Sequence, residues 1–339
     1  MPTRQPAGQP ARESARESAG DPAVRSSAVR VVALGGGHGL AASLAALRRV
    51  VEDLTAVVTV ADNGGSSGRL RREFGVLPPG DLRQALSALC GDDEWGRTWA
   101  SVLQHRFSSD GEMDDHALGN LLIVTLWELL GDHVDGLDWV SRLLGAQGRV
   151  LPMAVTPLDI TASVQGIDPA DPERLTTVRG QVEVASTTGR VTAVRLDPQD
   201  PPACPEALAA VAAADWVVLG PGSWFTSVIP HLLVPELCEA LVRSPARKAV
   251  VLNLAPQRGE TDGFSPEQHL EVLCAHAPDL TLDVVLADRA AVPDLARLTR
   301  ACGALGAELA VADLAVGDGT PRHDPARLAA AYARLLIEA

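Results

Sequence analysis

The chain has 339 residues, enough for one large or two medium domains around a substantial core. Its 43 acidic and 29 basic side chains give a net charge of −14 with no basic block to offset it, which excludes general binding to nucleic acid or an anionic membrane. No apolar run reaches the roughly eighteen residues of a membrane span; a single lysine, Lys248, and a single tyrosine, Tyr332, leave no Walker A motif and no Tyr-x-x-x-Lys dehydrogenase helix.

Residues 1–28 carry Pro, Gly, Ser, Arg and Glu but no apolar h-region, and read as a disordered tail, not a secretory signal. A folded domain is expected over 29–339. The apolar run Val29–Leu34 predicts a buried strand ending in Gly35, Gly36, Gly37 and Gly39, with an Ala/Leu-rich helix behind it. That order suits a phosphate site: absent Cβ atoms let the anion approach the backbone, and the first amides and dipole of the helix point at it. Gly37-His38-Gly39-Leu40-Ala41-Ala42 also fits the G-x-G-x-x-A pattern, so a dinucleotide-dependent redox enzyme is one reading.

A second strand, Thr55–Val60, ends at Asp62-Asn63, followed by Gly64-Gly65-Ser66-Ser67-Gly68 and the arginines Arg69, Arg71 and Arg72. Asp62 is placed to accept from a ribose hydroxyl or to hold a metal ion; Ser66, Ser67 and Arg69 offer hydroxyls and charge to a phosphate. The competing reading is a solvated surface loop. Pro78-Pro79-Gly80 predicts a turn, with Asp81 as N-cap of a helix through Cys90 and Arg83 in its first turn. Residues 95–109 read as a helix, 108–115 as an acidic loop and Leu121–Leu130 as an apolar helix. His116 reads equally as a packing residue or a ligand contact, and Asn120 is a candidate to read a base or sugar.

From Arg149 to Leu196 the runs Thr161–Val164 and Gln181–Val184 predict antiparallel strands. They suggest a small β-rich insertion at about 150–196, walling the substrate side or making a homodimer contact. Parallel architecture resumes at Asp215–Leu219. The Gly220–Ser227 turn after it predicts a second anion cradle, with Gly222 freeing the backbone and Ser223, Thr226 and Ser227 offering hydroxyls for the phosphate or for helix capping. Lys248, read as a solvated charge, opens a strand that leads into Asn253 and the 259–264 loop. Phe264 either stacks on a base or anchors the core. Leu282–Leu286 and Glu308–Ala312 are further strands, and five scattered cysteines read as core residues of a cytosolic protein.

The stretches GGGHGL, TVADNGGSSGRLRRE, LPPGDLRQAL, HALGNLL, GPGSWFTSVIPHLLV and NLAPQRGETDGF resemble the gluconeogenesis-factor (YvcK-type) branch of the CofD-like family. The resemblance runs from about Arg30 to the C-terminal helix. It implies an α/β fold, a Rossmann-like parallel sheet flanked by helices, with a nucleotide site. It also implies a cytosolic regulatory role in cell shape and in growth on gluconeogenic carbon sources, with a UDP-sugar such as UDP-N-acetylglucosamine as ligand. It adds Asn120, Phe264 and Arg322 to the ligand's surroundings.

The other branch, 2-phospho-L-lactate transferase, moves a phospholactyl-type group from a guanylyl donor to a deazaflavin acceptor with magnesium. Relatives carry two adjacent acids where this chain has Asp62-Asn63, and a threonine where it has His38. Both departures favour binding without turnover. Asp62 is then the one candidate metal ligand, and Mg2+ the companion of a bound nucleotide, not a fixed cofactor.

Overall fold

Seven apolar runs pair into one parallel sheet in the computed structural model, which describes residues 26–338. In chain order the strands are β1 (Ser26–Gly35), β2 (Val51–Val58), β3 (Arg149–Pro152), β4 (Asp159–Gln165), β5 (Thr176–Arg179), β6 (Arg190–Asp197), β7 (Trp216–Leu219), β8 (Arg247–Val251), β9 (Val284–Asp288) and β10 (Glu308–Ala312). The main sheet runs β10-β9-β8-β7-β1-β2-β3. Every residue of β7 and of β9 is buried, as expected where helices cover both faces of a parallel sheet. Ala33 at the centre lies opposite Ala56 on β2 and Val218 on β7.

The chain builds outward from β1 to β2 and β3, then returns to the other side of β1 and adds β7 to β10. Strand order therefore reverses between β1 and β7. In open α/β sheets such a switch point leaves a crevice beyond the carboxyl ends of the strands, and ligands sit there.

The first seven helices are α1 (Gly37–Leu47), α2 (Gly65–Phe74), α3 (Gly80–Ala88), α4 (Glu94–Gln104), α5 (Leu118–Leu130), α6 (His133–Leu144) and the short α7 (Gln181–Ala185), and α1 starts at the crevice. Asp93 caps α4 by accepting from the Gly96 amide, and Asp132 caps α6 in the same way from Asp135. No single helix among the described residues is long and apolar enough to cross a membrane.

Several expectations shift. Of the tail, residues 1–25 lie outside the described residues, while Ser26–Ala28 already belong to β1. Arg149–Pro152 pairs with β2 in the main sheet, so the antiparallel insertion, ordered β5-β4-β6, starts at Asp159. Gln181–Val184 is helical. Its alternation misleads because Val184 alone is buried while Val182 is exposed, and the Val182 amide donates to the Asn63 side chain and not to a strand. Asp81 does not cap its helix: Pro79 holds that position, and the carboxylate turns toward the β1 turn.

Lys248 is not solvated. It is buried, and its Nζ donates to the carbonyls of Ser244 at 2.9 Å and Ala246 at 3.0 Å, in the connection that follows the helix Pro235–Arg243.

Candidate functional site

The reversal of strand order brings two glycine turns into contact. A Cβ on Gly39 would lie 2.3 Å from the Pro221 carbonyl oxygen and 2.7 Å from the Gly222 nitrogen, so only glycine lets α1 start this close to the β7 turn. Gly37 has φ +57°, a left-handed conformation, and its Cβ position faces open space apart from Asp81 at 4.0 Å. Gly36 caps α1 with no side-chain bond, so the amides that follow Gly37 keep donor capacity for an anion.

Over these turns opens a cavity of about 820 Å³. It gathers Gly36, Gly37, His38 and Gly39 from the first turn, Gly222 and Ser223 from the second, and Asn253 and Arg322 from later loops. His38 and Arg322 are exposed at its rim. Arg322 donates to the Asp318 carboxylate at 2.6 Å and to the Thr320 hydroxyl, a pairing within its own loop.

The second turn is held from within the protein. Asn253 clamps the Gly222 backbone, accepting from its amide at 3.0 Å and donating to its carbonyl at 2.8 Å. The Gln257 side-chain carbonyl accepts from the Trp224 amide. Glu260, buried, accepts from the Phe225 amide at 2.9 Å, from the Thr226 hydroxyl at 2.6 Å and from the Ser223 hydroxyl. The hydroxyls of Ser223 and Thr226 thus serve a carboxylate of the chain itself.

Beside the first turn lies a buried polar cluster. Asp81 stands against Gly36, accepts from the Gly37 amide and faces Asp62. Burial first, and the Asp62 charge second, push the Asp81 carboxyl up to about 7. The Asp62 carboxylate also accepts from the Gly64 amide at 2.8 Å. Arg83 donates through Nε to the Asn120 side chain at 2.8 Å and leaves one buried guanidinium nitrogen without a partner. Burial lowers its pKa to about 10, with the Arg106 charge adding to the effect.

Asn120 is buried and donates to the Ser66 hydroxyl at 3.0 Å; Ser66 also lies 3.1 Å from His116 Nδ1. Ser67 packs under Gly80, where a Cβ would meet its hydroxyl at 2.3 Å. Asp62, Ser66, Ser67 and Asn120 therefore form the floor next to the cavity and do not line it.

Two predicted residues point elsewhere. Asn63 donates to Glu183 at 2.7 Å and accepts from the Val182 amide, so it docks α7. Arg69 donates to the carbonyls of Glu112 and Asp114 and fastens the acidic loop. Phe264 packs edge-on against Phe225 and His269, in a cavity of about 230 Å³ that shares the Asn253–Pro256 segment with the larger one.

Gln257, Arg258 and His323 line the main cavity without having been singled out. His323 keeps a buried Nε2 with no protein partner, and burial lowers its pKa to about 4, so it is a neutral hydrogen-bonding group at physiological pH. The acid of GETDGF was the available hint for Glu260; nothing local singles out His323.

Fold and site together define a Rossmann-like α/β protein whose candidate site sits at the switch point of its sheet. The chain belongs to the CofD family: the family described as 2-phospho-L-lactate transferase CofD matches residues 31–310. It is 54% identical over 303 residues to a Mycobacterium tuberculosis protein named "Putative gluconeogenesis factor", covering 88% of each chain. It is 38% identical over 256 residues to the gluconeogenesis factor of Halalkalibacterium halodurans, covering 76% of each. A crystal structure of a UPF0052-family protein from Bacillus halodurans superposes with a TM-score of 0.79 at 32% identity, over 89% of this chain and 98% of that one.

Proposed function

We propose that this chain is a gluconeogenesis factor that binds an anionic nucleotide-sugar, of the UDP-N-acetylglucosamine kind, and acts as a cytosolic regulator of cell shape and of growth on gluconeogenic carbon. The observation that carries the binding reading is the cavity over the uncapped start of α1, with Gly37 left-handed and open to it and Arg258 and Arg322 at its rim. Helix-terminal amides take the diphosphate, and arginines add charge-assisted contacts. The smaller cavity beside Phe264 supplies an apolar surface for a base. Calorimetric titration with UDP-N-acetylglucosamine, GDP, NAD and FAD tests this. Binding by the UDP-sugar is expected, and no binding by any of them tighter than about millimolar would remove the reading.

A second reading, a magnesium-dependent transferase, is favoured by one observation: Asp81 supplies the second carboxylate that Asn63 does not, facing Asp62 beside the first turn. Two carboxylates with ligand phosphates are an ordinary magnesium donor set, and among the described residues no group of three such side chains could hold a metal alone. Asp62 and Asp81 would hold the ion, which when bound offsets diphosphate charge. Magnesium-dependent product formation with a guanylyl donor and a deazaflavin acceptor, abolished by Asp62→Ala, would establish this reading over the regulatory one.

A further inference from the structure

We infer that Glu260 is a built-in occupant of the β7 turn, a positioning residue that latches the 253–263 loop over the cavity and leaves the α1 turn as the cradle for the ligand's phosphates. The inference rests on the nucleotide-sugar reading for its consequence in binding, but not for the latch itself.

The geometry is that of a bound anion. After β7 the chain turns through Gly220 to Ser223 into the short helix Trp224–Val228, and the donors of that turn converge on one point. The Phe225 amide, the Thr226 hydroxyl and the Ser223 hydroxyl all donate to the Glu260 carboxylate. Glu260 is 4% exposed, so water does not compete for these donors. Charge-assisted hydrogen bonds of this kind are stronger than neutral ones, and a buried carboxylate needs them.

Glu260 comes from the far side of the cleft. The Gln257 amide donates to the Thr261 hydroxyl and the Thr261 amide to the Gln257 carbonyl, which closes a tight turn over the residues between. Gln257 and Arg258 line the cavity. Anchoring Glu260 therefore fixes where Arg258 stands relative to a ligand on α1. An external phosphate on the second turn would have to displace a carboxylate already satisfied there. The two turns look alike in sequence, yet the carboxylate at the first, Asp81, takes only the Gly37 amide, whereas Glu260 takes three donors of the second.

The test uses the full chain with Glu260→Ala and Glu260→Gln. Hydrogen exchange of the 253–263 amides reads the latch without any ligand. Both variants are expected to lose protection there while amides of β1 and β9 stay protected. Millimolar formate, which can refill the vacated turn but carries no bond to the loop, is expected to leave 253–263 unprotected in Glu260→Ala. Unchanged protection in 253–263, or loss that formate restores, would overturn the latch.

Calorimetry with UDP-N-acetylglucosamine reads the consequence. Glu260→Ala is expected to weaken binding about tenfold, the scale of one displaced charge-assisted contact, and formate is expected not to restore it. Undiminished affinity in a variant with a released loop would overturn the positioning role. Failure of the wild type to bind would count against the nucleotide-sugar reading alone, because exchange still decides the latch. Should Glu260→Ala not fold, Glu260→Gln keeps the shape but sets an NH2 group among donors, and its exchange pattern decides the matter.

Discussion

Gly39 and Gly222 stand so close that a Cβ on Gly39 would sit 2.5 Å from the Gly222 Cα, which makes the start of α1 and the β7 turn a single surface. Gly39→Ala must therefore push two backbones apart, whereas Gly37→Ala meets open space and bears only the strain of φ +57°. Thermal unfolding is expected to show Gly39→Ala losing more than about 2 kcal/mol and Gly37→Ala about 1–2 kcal/mol. Gly37→Val should reduce ligand affinity further than stability, since its side chain enters the space the phosphate would take. Equal losses of both would make the glycine at 37 purely structural.

Arg322→Ala is expected to weaken nucleotide-sugar binding by one to two decades, or roughly 1.5–3 kcal/mol for a charge-assisted phosphate contact. Its melting temperature should hold, because the pair with Asp318 is exposed and such pairs contribute little. Calorimetry alongside thermal unfolding checks both halves. Unaltered affinity would take Arg322 out of the site.

Asp81 gives stability a pH dependence with a definite sign. Its carboxyl is raised to about 7 in the folded chain, so between about pH 4 and 7 the folded state binds more protons than the unfolded one. Stability from this group is present at acid pH and is lost as pH rises through 7. Asp81→Asn removes the loss, and denaturant unfolding with a chelator present should show it more stable than wild type at pH 8 by roughly 2–4 kcal/mol, the gap narrowing as pH falls below 7 and closing only near pH 4. A constant difference across that range would mean that the carboxyl is not raised.

Asn63→Asp places a second acid beside Asp62, but it sets a carboxylate against Glu183, which accepts from Asn63 at 2.7 Å in the native chain. The expected result is looser docking of α7, read as faster proteolysis between β5 and β6, and no gain in magnesium affinity. A tighter magnesium site in Asn63→Asp would return Asn63 to the ligand site.

Chelating magnesium is expected to change nucleotide-sugar affinity by less than about threefold, since α1 amides and arginines supply most of the charge the diphosphate needs. Calorimetry with and without EDTA measures this. A collapse of affinity, shared by Asp62→Ala, would favour the transferase reading.

Much of this architecture was legible in the sequence. Glu308–Ala312 was read as a strand with its observed ends, and both glycine turns followed apolar runs that pair as adjacent strands. Local signals suffice there, because burial on both faces writes itself as a continuous apolar run. What stayed hidden depends on partners far along the chain. Glu260 meets Ser223 across 37 residues and Asn63 meets Glu183 across 120, and neither pairing leaves a trace in spacing. Asp81 looked like a cap because the sequence does not show that its side chain turns to Gly36.

The burial of Lys248 reaches beyond folding. It is the only lysine of the chain, and its Nζ is enclosed by the carbonyls of Ser244 and Ala246. Burial also lowers its pKa. To chemistry that reads primary amines on lysine, the folded surface is blank: acylating labels, amine cross-linkers and lysine-directed modifying enzymes find no exposed ε-amine to act on. Reaction at Lys248 would then report unfolding, and its rate could serve as a clock for how often the sheet opens at β8.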